Sequence, residues 1–291
     1  MRQKTRMNRI IWKRNFQKVT VMKDLITGLG RIAYAVTGHG SELVFLHSAL
    51  ADHRQWCEQV EALSSNYRCI SYDLLGYGSS ENAPETYDPS DTLLELLDHL
   101  EVETATLVGS SLGGSVAIHA ACRFPDRVRS IFVAGTGLFG FQPQLDGPEP
   151  EIYREYEEAL AHHDTTRIVD LAERIWLIGT EGSESRVPRV SRDLFRMMYR
   201  DFLNNRRKFP EYQDLDDKGA LANLDRPVMV LIGENDTLYC LKVANYLENI
   251  LPRATLIRMP GVAHFPNLSQ PRRLTELLLQ WLNEGPRDNG N

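Results

Sequence analysis

The sequence has few cysteines, no long apolar run and no excess of basic residues. Its four cysteines stand apart, without C-x-x-C or cysteine–histidine spacing, so we expect free thiols and no metal site. It has no stretch of about 20 apolar residues, which argues against a membrane-spanning helix. The net charge of -6 gives no electrostatic reason to expect nucleic acid or an anionic membrane as a partner. A glycine-rich phosphate-binding loop is also missing, and we expect a soluble, cytoplasmic protein that needs no cofactor.

The first 23 residues differ in charge from the rest of the chain. They carry eight basic residues and no acidic one. This segment lacks the apolar core of a secretory signal and the serine content of a transit peptide. We expect either a flexible extension ahead of the folded core or upstream sequence that precedes a start at Met22. The third interpretation is an arm that docks on an acidic surface of a second subunit.

The segment TLVGSSLGG, residues 106–114, places glycines around a serine directly after a strand-like run, and a helix-like run follows. In a nucleophile elbow, this order of strand, tight turn and helix strains the serine so that its hydroxyl projects from the sheet edge. Small residues two positions before and after the serine let the strand and helix pass closely. Gly109 and Gly113 hold those positions around Ser111. The segment predicts Ser111 as a nucleophile, and the alternative is an ordinary loop rich in glycine and serine.

A serine nucleophile requires a histidine base and a carboxylate that orients the base, in the chain order serine, acid, histidine. The strand-like run of residues 228–232 breaks at Gly233, and two acids follow just past the strand end. Asp236 is favoured over Glu234 because it lies far enough into the loop to turn toward a histidine. After the next short strand, the loop MPGVAHFPNLSQP carries His264. We therefore predict Ser111, Asp236 and His264 as the catalytic triad.

Five of the other histidines are assigned by their positions. His119 falls two turns into the helix after the elbow, where packing is the expected role. His47 is different because it ends an apolar strand and opens the loop HSALADHRQW. This loop is expected to supply half of an oxyanion hole, with the backbone amide of Ala49 as one donor and that of Leu112 as the other. Histidines in charged helical stretches are expected to be structural or solvated: His99, His162 and His163.

The order of these elements, with GSSLGG, GENDTL and GVAHFPNLSQP, resembles the α/β-hydrolase superfamily over residues 24–284. LHSALADHRQW is similar to the family's oxyanion loop, and SYDLLGYGSS to its turn of aspartate and glycine after the fourth strand. Two positions depart from the pattern, because Ser48 stands where members usually have glycine and Ser269 where many have glutamate. The serine elbow sets aside the branches that use an aspartate nucleophile. The remaining resemblance is to carboxylesterases and to enol-lactonases of the 3-oxoadipate type.

Strand-like runs alternate with helical ones along the chain, which implies an α/β fold with a mainly parallel sheet buried on both faces. The first two strands are expected to be antiparallel. The resemblance implies eight strands flanked by helices, with a helical cap inserted after the sixth strand. Residues 138–221 are helical in pattern and rich in charge and aromatics, so they are the predicted cap. Residues 24–137 and 222–291 form the predicted core.

We expect a serine hydrolase that cleaves a small or medium carboxylic ester or lactone through an acyl-enzyme, as a monomer or homodimer. Two alternatives stay open. A carbon–carbon bond hydrolase of a diketone would use the same triad, and hydrolase-like ligand receptors resemble this fold while turning over slowly. Side chains expected to contact the substrate are His47, Ser48, Ser110, Trp176 and Phe265.

Overall fold

The computed structural model describes residues 21–146, 150–205, 209–212 and 215–284. Most of the predicted basic extension, residues 1–20, therefore lies outside the described residues, and the first strand already begins at Lys23. The strands of the described residues are β1 (Lys23–Thr27), β2 (Gly30–Thr37), β3 (Ser41–Leu46), β4 (Tyr67–Tyr72), β5 (Thr86–Tyr87), β6 (Ala105–Ser110), β7 (Val128–Ala134), β8 (Glu211–Tyr212), β9 (Val228–Gly233) and β10 (Ala254–Met259).

Eight of these strands form one sheet, in the order β1-β2-β4-β3-β6-β7-β9-β10. Strand β2 pairs antiparallel with β1 and β4, whereas the other pairs in this sheet are parallel. Every residue of β6 and β9 is buried, as expected for strands covered on both faces. The prediction of a mainly parallel eight-stranded sheet with an antiparallel first pair is confirmed.

Helices cover the sheet on its two faces. The α-helices of the described residues are α1 (Cys57–Leu63), α2 (Pro89–His99), α3 (Leu112–Arg123), α4 (Glu151–Ala161), α5 (Thr165–Ala172), α6 (Arg189–Asn204), α7 (Lys218–Leu221), α8 (Leu238–Ile250), α9 (Pro266–Ser269) and α10 (Pro271–Glu284). Three short 3₁₀ turns accompany them (His53–Trp56, Pro125–Arg127 and Glu184–Arg186), and a π-helical turn (Glu173–Ile178) continues α5. Within the described ranges, none of the helices has both the length and the apolar content needed to cross a bilayer.

The chain leaves the large sheet after β7, its sixth strand in chain order, and returns to it with β9. Helices α4 to α6 lie in this insertion, inside the segment predicted as a cap. Helix α6 buries an aromatic stripe of Phe195, Tyr199 and Phe202, which are spaced to lie on one face of a helix. Strand β8, also in the insertion, pairs with β5 in a separate two-stranded sheet. The insertion is thereby attached to the core at more than one point.

His119 joins three parts of the molecule. It lies on α3, and its ring nitrogens contact Asp217 (2.6 Å), at the return from the insertion, and Asp88 (2.9 Å), which caps α2. Burial alone would lower the pKa of His119, but the two carboxylates outweigh it and raise the pKa to about 9. His119 is therefore buried behind the elbow, as expected, and it also links α3 to Asp88 and Asp217 through charged hydrogen bonds.

Candidate active site

Ser111 stands at a sharp turn between β6, which ends at Ser110, and α3, which begins at Leu112. Its backbone has φ 51° and ψ -116°, a sparsely populated region for a residue with a side chain. The amide of Ser111 donates to the carbonyl of Ala134, at the end of the neighbouring strand β7 (3.1 Å). The strained turn is therefore held in place by the sheet.

The two glycines around Ser111 are required by close contacts. A Cβ on Gly109 would lie 2.4 Å from the carbonyl oxygen of Gly113, so strand and helix could not pass at this distance. A Cβ on Gly113 would lie 2.2 Å from the carbonyl oxygen of Leu46 and 2.7 Å from that of His47. The start of α3 therefore packs directly on the end of β3. This contact brings the amide of Leu112 next to the loop that His47 opens.

Asp236 and His264 form a buried hydrogen-bonded pair. His264 Nδ1 and Asp236 Oδ1 are 2.9 Å apart, and the amide of Thr237 donates to the same carboxylate oxygen (2.6 Å). The side chain of Asp236 is fully buried and that of His264 is 7% exposed. Burial alone would lower the pKa of His264, but the nearby charge of Asp236 raises it well above the usual range. The carboxylate can therefore orient the imidazole and stabilise it when it takes up a proton.

Glu234, the competing acid, takes no part in this pair. Its amide donates to the carbonyl of Met259 at the end of β10 (3.0 Å), and the residue is exposed to solvent. Asp236 lies in the turn that follows, where its amide donates to the carbonyl of Gly233 (3.2 Å). The turn reverses the chain and directs Asp236 toward His264.

Gly135, which the sequence analysis did not single out, lies between the elbow and the acid–histidine pair. It follows Ala134 directly and has φ +57°. A Cβ here would lie 2.7 Å from the carbonyl oxygen of His264 and 3.1 Å from Asp236 Oδ2. Because Ala134 also accepts the bond from Ser111, the end of β7 brings all three predicted triad residues to one place. The sequence signal for Gly135 was its position immediately after a predicted buried strand.

Cys240 was also missed as a neighbour of the site. Its sulfur lies 3.7 Å from His264 Nδ1, on the first turn of α8, and burial raises the pKa of the thiol. The position four residues after Asp236, one helical turn on, was the sequence signal. Asp236 Oδ2 is buried without a hydrogen-bond partner among the described residues.

The loop after β3 is organised by buried polar contacts. His47 Nε2 accepts from the amide of Leu74 (3.0 Å), so Nδ1 carries the proton that is donated to the carbonyl of Ser48 (2.9 Å). Both ring nitrogens of the fully buried His47 are therefore occupied by backbone. This arrangement favours a supporting role for His47 over the predicted contact with substrate.

Most amides of this loop are also engaged. The amide of Ser48 donates to the side chain of Gln55 (2.9 Å), that of Leu50 to the hydroxyl of Ser48 (3.3 Å) and that of Ala51 to the carbonyl of Ser48 (3.0 Å). Within residues 48–51 this leaves the amide of Ala49 as the candidate oxyanion donor. Ser48, which stands where glycine is usual, is buried and uses its hydroxyl inside the loop.

Three other predicted contact residues lie close to the site. Ser110 precedes the elbow and is fully buried, and its hydroxyl has no hydrogen-bond partner among the described residues. Phe265 is fully buried against the ring of His264, with ring centroids 5.4 Å apart. Trp176 is half-buried, and its carbonyl accepts from the amide of His264 (2.9 Å). The insertion therefore contacts the histidine loop through backbone as well as side chains.

The π-helical turn that contains Trp176 is anchored by charge. Its first residue, Glu173, is buried and is paired with Arg192 and Arg196 of α6. π-helical turns are uncommon and occur frequently at functional sites. Here the turn presents the carbonyl of Trp176 to the amide of His264, so it links α6 to the histidine loop.

An aromatic chain across α6 connects the loop that His47 opens with the loop that carries His264. Each ring lies beside the next, with centroids 5.2 to 6.4 Å apart, from the oxyanion loop to the histidine loop. Its members in order are His47, Tyr77, Phe202, Tyr199, Phe195, Phe265 and His264. Arg54, in the oxyanion loop, adds an ion pair with Asp201 of α6 (2.9 Å). Helix α6 thus touches both loops that are predicted to act on the substrate.

A second polar cluster, centred on Asp73, holds nearby backbone in place through hydrogen bonds. Asp73 Oδ1 accepts from the amide and ring of His53 (2.7 and 2.8 Å), and Oδ2 accepts from the amide of Ser79 (2.8 Å). Gly78 packs against this carboxylate, because a Cβ there would lie 2.2 Å from it. The aspartate and glycine of SYDLLGYGSS therefore form a structural turn beside the oxyanion loop.

Residues 43–277 match the sequence profile of the alpha/beta hydrolase family. The match spans most of the chain and includes the last four residues of β3, the elbow, Asp236 and His264. The chain belongs to the alpha/beta hydrolase family. The family predicted from the sequence motifs is therefore confirmed.

Two curated relatives of this α/β-hydrolase are similar to it over nearly their whole length. A pimeloyl-(acyl-carrier protein) methyl ester esterase of Aliivibrio fischeri is 27% identical over 248 residues, which cover 85% of this chain and 95% of that protein. The corresponding esterase of Nitrosomonas europaea is 28% identical over 247 residues, covering 84% of this chain and 97% of that protein.

Solved structures show the same fold. A hydrolase from Pseudomonas aeruginosa superposes with a TM-score of 0.72 at 26% identity, covering 90% of this chain and 98% of that one. A carboxylesterase from Bacillus subtilis superposes with a TM-score of 0.73 at 18% identity, covering 97% of this chain and 98% of that one.

Proposed function

We propose that this α/β-hydrolase is a serine hydrolase of carboxylic esters, with Ser111 as nucleophile, His264 as general base and acid, and Asp236 as the group that orients His264. The observation that carries the proposal is the buried hydrogen bond between Asp236 and His264, next to a strained serine held on the same strand end. The relatives described as methyl ester esterases support an ester substrate.

In the proposed reaction, His264 takes the proton of Ser111 as the hydroxyl oxygen attacks the ester carbonyl. Asp236 stabilises the imidazolium that forms, and the proton then passes to the leaving alcohol. Water attacks the acyl-enzyme with His264 again acting as base, and the carboxylic acid is released.

The negative oxygen of each tetrahedral intermediate is proposed to accept hydrogen bonds from the amides of Leu112 and Ala49. Leu112 lies at the first turn of α3, where the helix dipole also favours negative charge. One such preorganised donor contributes about 3 to 4 kcal/mol to the stabilisation of the transition state. Apolar side chains at both positions are compatible with this role because the main chain donates.

Residues 138–221 are proposed to form the cap that covers the acyl side of the substrate. The half-buried Trp176 and the helix α6, which touches both catalytic loops, support this placement. A small or medium acyl group is the substrate class that we propose, and Trp176 is the proposed contact.

The proposal is tested with a panel of substrates: p-nitrophenyl esters of increasing acyl length, a methyl ester, a lactone and a vinylogous diketone. We expect multiple turnovers on the esters, with a preferred acyl length that measures the pocket. Exclusive turnover of the diketone would replace the proposal with carbon–carbon bond hydrolysis. A single burst of product without further turnover would replace it with a receptor-like function.

A further inference from the structure

Three buried side chains with metal-binding atoms meet behind the proposed catalytic histidine. The carboxylate of Asp236, the sulfur of Cys240 and Nδ1 of His264 all lie within 4.8 Å of one another. Each of the three residues is less than a tenth exposed. Carboxylate, thiolate and imidazole are the donor types that zinc binds in proteins.

The distances suit a zinc ion with little rearrangement. Zinc lies about 2.3 Å from a sulfur ligand and about 2.0 Å from a nitrogen ligand, so a tetrahedral site needs about 3.6 Å between the two donor atoms. The observed separation of Cys240 Sγ and His264 Nδ1 is 3.7 Å. The separation of 2.9 Å between His264 Nδ1 and Asp236 Oδ1 would widen by a few tenths of an ångström, which side-chain rotation can provide.

Asp236 also offers an unused donor. Its Oδ2 atom is buried and has no hydrogen-bond partner among the described residues, while Oδ1 already accepts from Thr237 and His264. A buried carboxylate oxygen without a partner is costly, and a cation would satisfy it. One carboxylate and one thiolate would also balance the two charges of zinc in this buried place.

A second group of potential metal ligands lies close together in the described residues, but its carboxylate oxygens already have hydrogen-bond partners. It consists of Asp52, His53 and Asp73. Both carboxylate oxygens of Asp73 accept from backbone amides, and Asp52 Oδ1 accepts from the amide of Arg54 (3.0 Å) while both of its oxygens pair with the Arg54 guanidinium. These donors are occupied, so the cluster at His264 is the better cation site.

We propose that Asp236, Cys240 and His264 form a zinc-binding site whose occupation switches the hydrolase off. The inhibitory part of this proposal rests on the proposed function of His264, whereas the binding part does not. Zinc takes the Nδ1 lone pair of His264, so a neutral ring shifts its proton to Nε2 and a charged ring releases its Nδ1 proton to solvent while keeping the one on Nε2. The thiol proton of Cys240 is also released to solvent. With Nε2 protonated, His264 has no lone pair left to accept the proton of Ser111.

The test uses the full chain, Cys240→Ser and, as a matched control, Cys57→Ser, which removes a half-buried thiol elsewhere. Each protein is preincubated with Zn²⁺, and its ester hydrolysis is compared with its own rate in a chelator. We expect inhibition of the wild type and of Cys57→Ser that is reversed by chelator. Loss of one of the three ligands in Cys240→Ser should raise the Zn²⁺ concentration needed for half-maximal inhibition by at least about tenfold.

A spectroscopic measurement tests metal binding independently of the proposed catalytic role of His264. Co²⁺ is titrated into the wild type, Ser111→Ala and Cys240→Ser, and the absorption band from thiolate to Co²⁺ is followed. We expect the band in the first two proteins and its loss in Cys240→Ser, whether or not the protein hydrolyses esters. Absence of the band in the wild type, or equal zinc inhibition of Cys240→Ser, would overturn the site.

Discussion

Replacement of Asp236 by asparagine gives the sharpest prediction about the acid–histidine pair. The amide of Thr237 donates to Oδ1 of Asp236, so it will hold the carbonyl oxygen of an asparagine in that place. That oxygen can still accept from His264 Nδ1. The substitution Asp236→Asn therefore removes the charge of the pair while keeping its hydrogen bond and ring tautomer.

The size of the effect follows from the loss of charge. At an effective dielectric constant of about 20, opposite unit charges separated by 2.9 Å attract by about 6 kcal/mol. Each charge is spread over its group, which increases the mean separation and lowers the attraction to about 4 kcal/mol. This stabilisation acts on the imidazolium in the transition state. We expect kcat to fall by about 10³- to 10⁴-fold. Because the charge of Asp236 raises the pKa of His264, the acid limb of the pH–rate profile should move to lower pH.

The assay is steady-state ester hydrolysis as a function of pH for the wild type, Asp236→Asn and Glu234→Gln, with thermal unfolding to check the fold. The exposed Glu234 is the matched control, and its variant should keep the wild-type kcat within about twofold. A large loss in Glu234→Gln with little change in Asp236→Asn would refute the assignment of the acid. An unchanged acid limb in Asp236→Asn would refute the electrostatic argument.

Three further predictions concern the support of the site. Gly135→Ala should lower both kcat and thermal stability. The left-handed backbone at this position disfavours a side chain by about 1 to 3 kcal/mol, and the new Cβ would clash with the backbone of His264. A wild-type kcat would contradict the contact. His119 should contribute stability that is fully present below pH about 6.5 and is lost as pH rises through about 9, by up to about 3 kcal/mol. Urea unfolding across this range should show the loss in the wild type and not in His119→Gln. Phe195→Ala, which opens a cavity in a fully buried aromatic chain, should cost about 3 to 5 kcal/mol in urea unfolding, and a cost below about 1 kcal/mol would show that α6 does not depend on this ring.

Much of the fold was predictable because its signals are local. A short apolar run bounded by turn residues, such as residues 228–232, favours a buried strand, and alternation with helical runs favours a parallel sheet. The elbow was predictable because Gly109 and Gly113 are required by backbone contacts within a few residues of Ser111. Asp236 could be preferred over Glu234 because the distance from a strand end determines how far a side chain can turn.

The surroundings of the site could not be predicted, because their partners are distant in sequence. His119 was expected to pack, and its charge depends on Asp88 and Asp217, which no local pattern connects to it. Cys240 reads as an ordinary apolar position of a helix until His264 is placed beside it. The same holds for the contact of Trp176 with the histidine loop, which arises from packing of the insertion.

The most direct test of the central proposal is the hydrolysis of one p-nitrophenyl ester by the wild type and by Ser111→Ala in the same assay. We predict multiple turnovers by the wild type and a loss of nearly all activity in the variant, with an unchanged unfolding temperature. Wild-type rates in Ser111→Ala would contradict the assignment of Ser111 as nucleophile and, with it, the proposed acyl-enzyme.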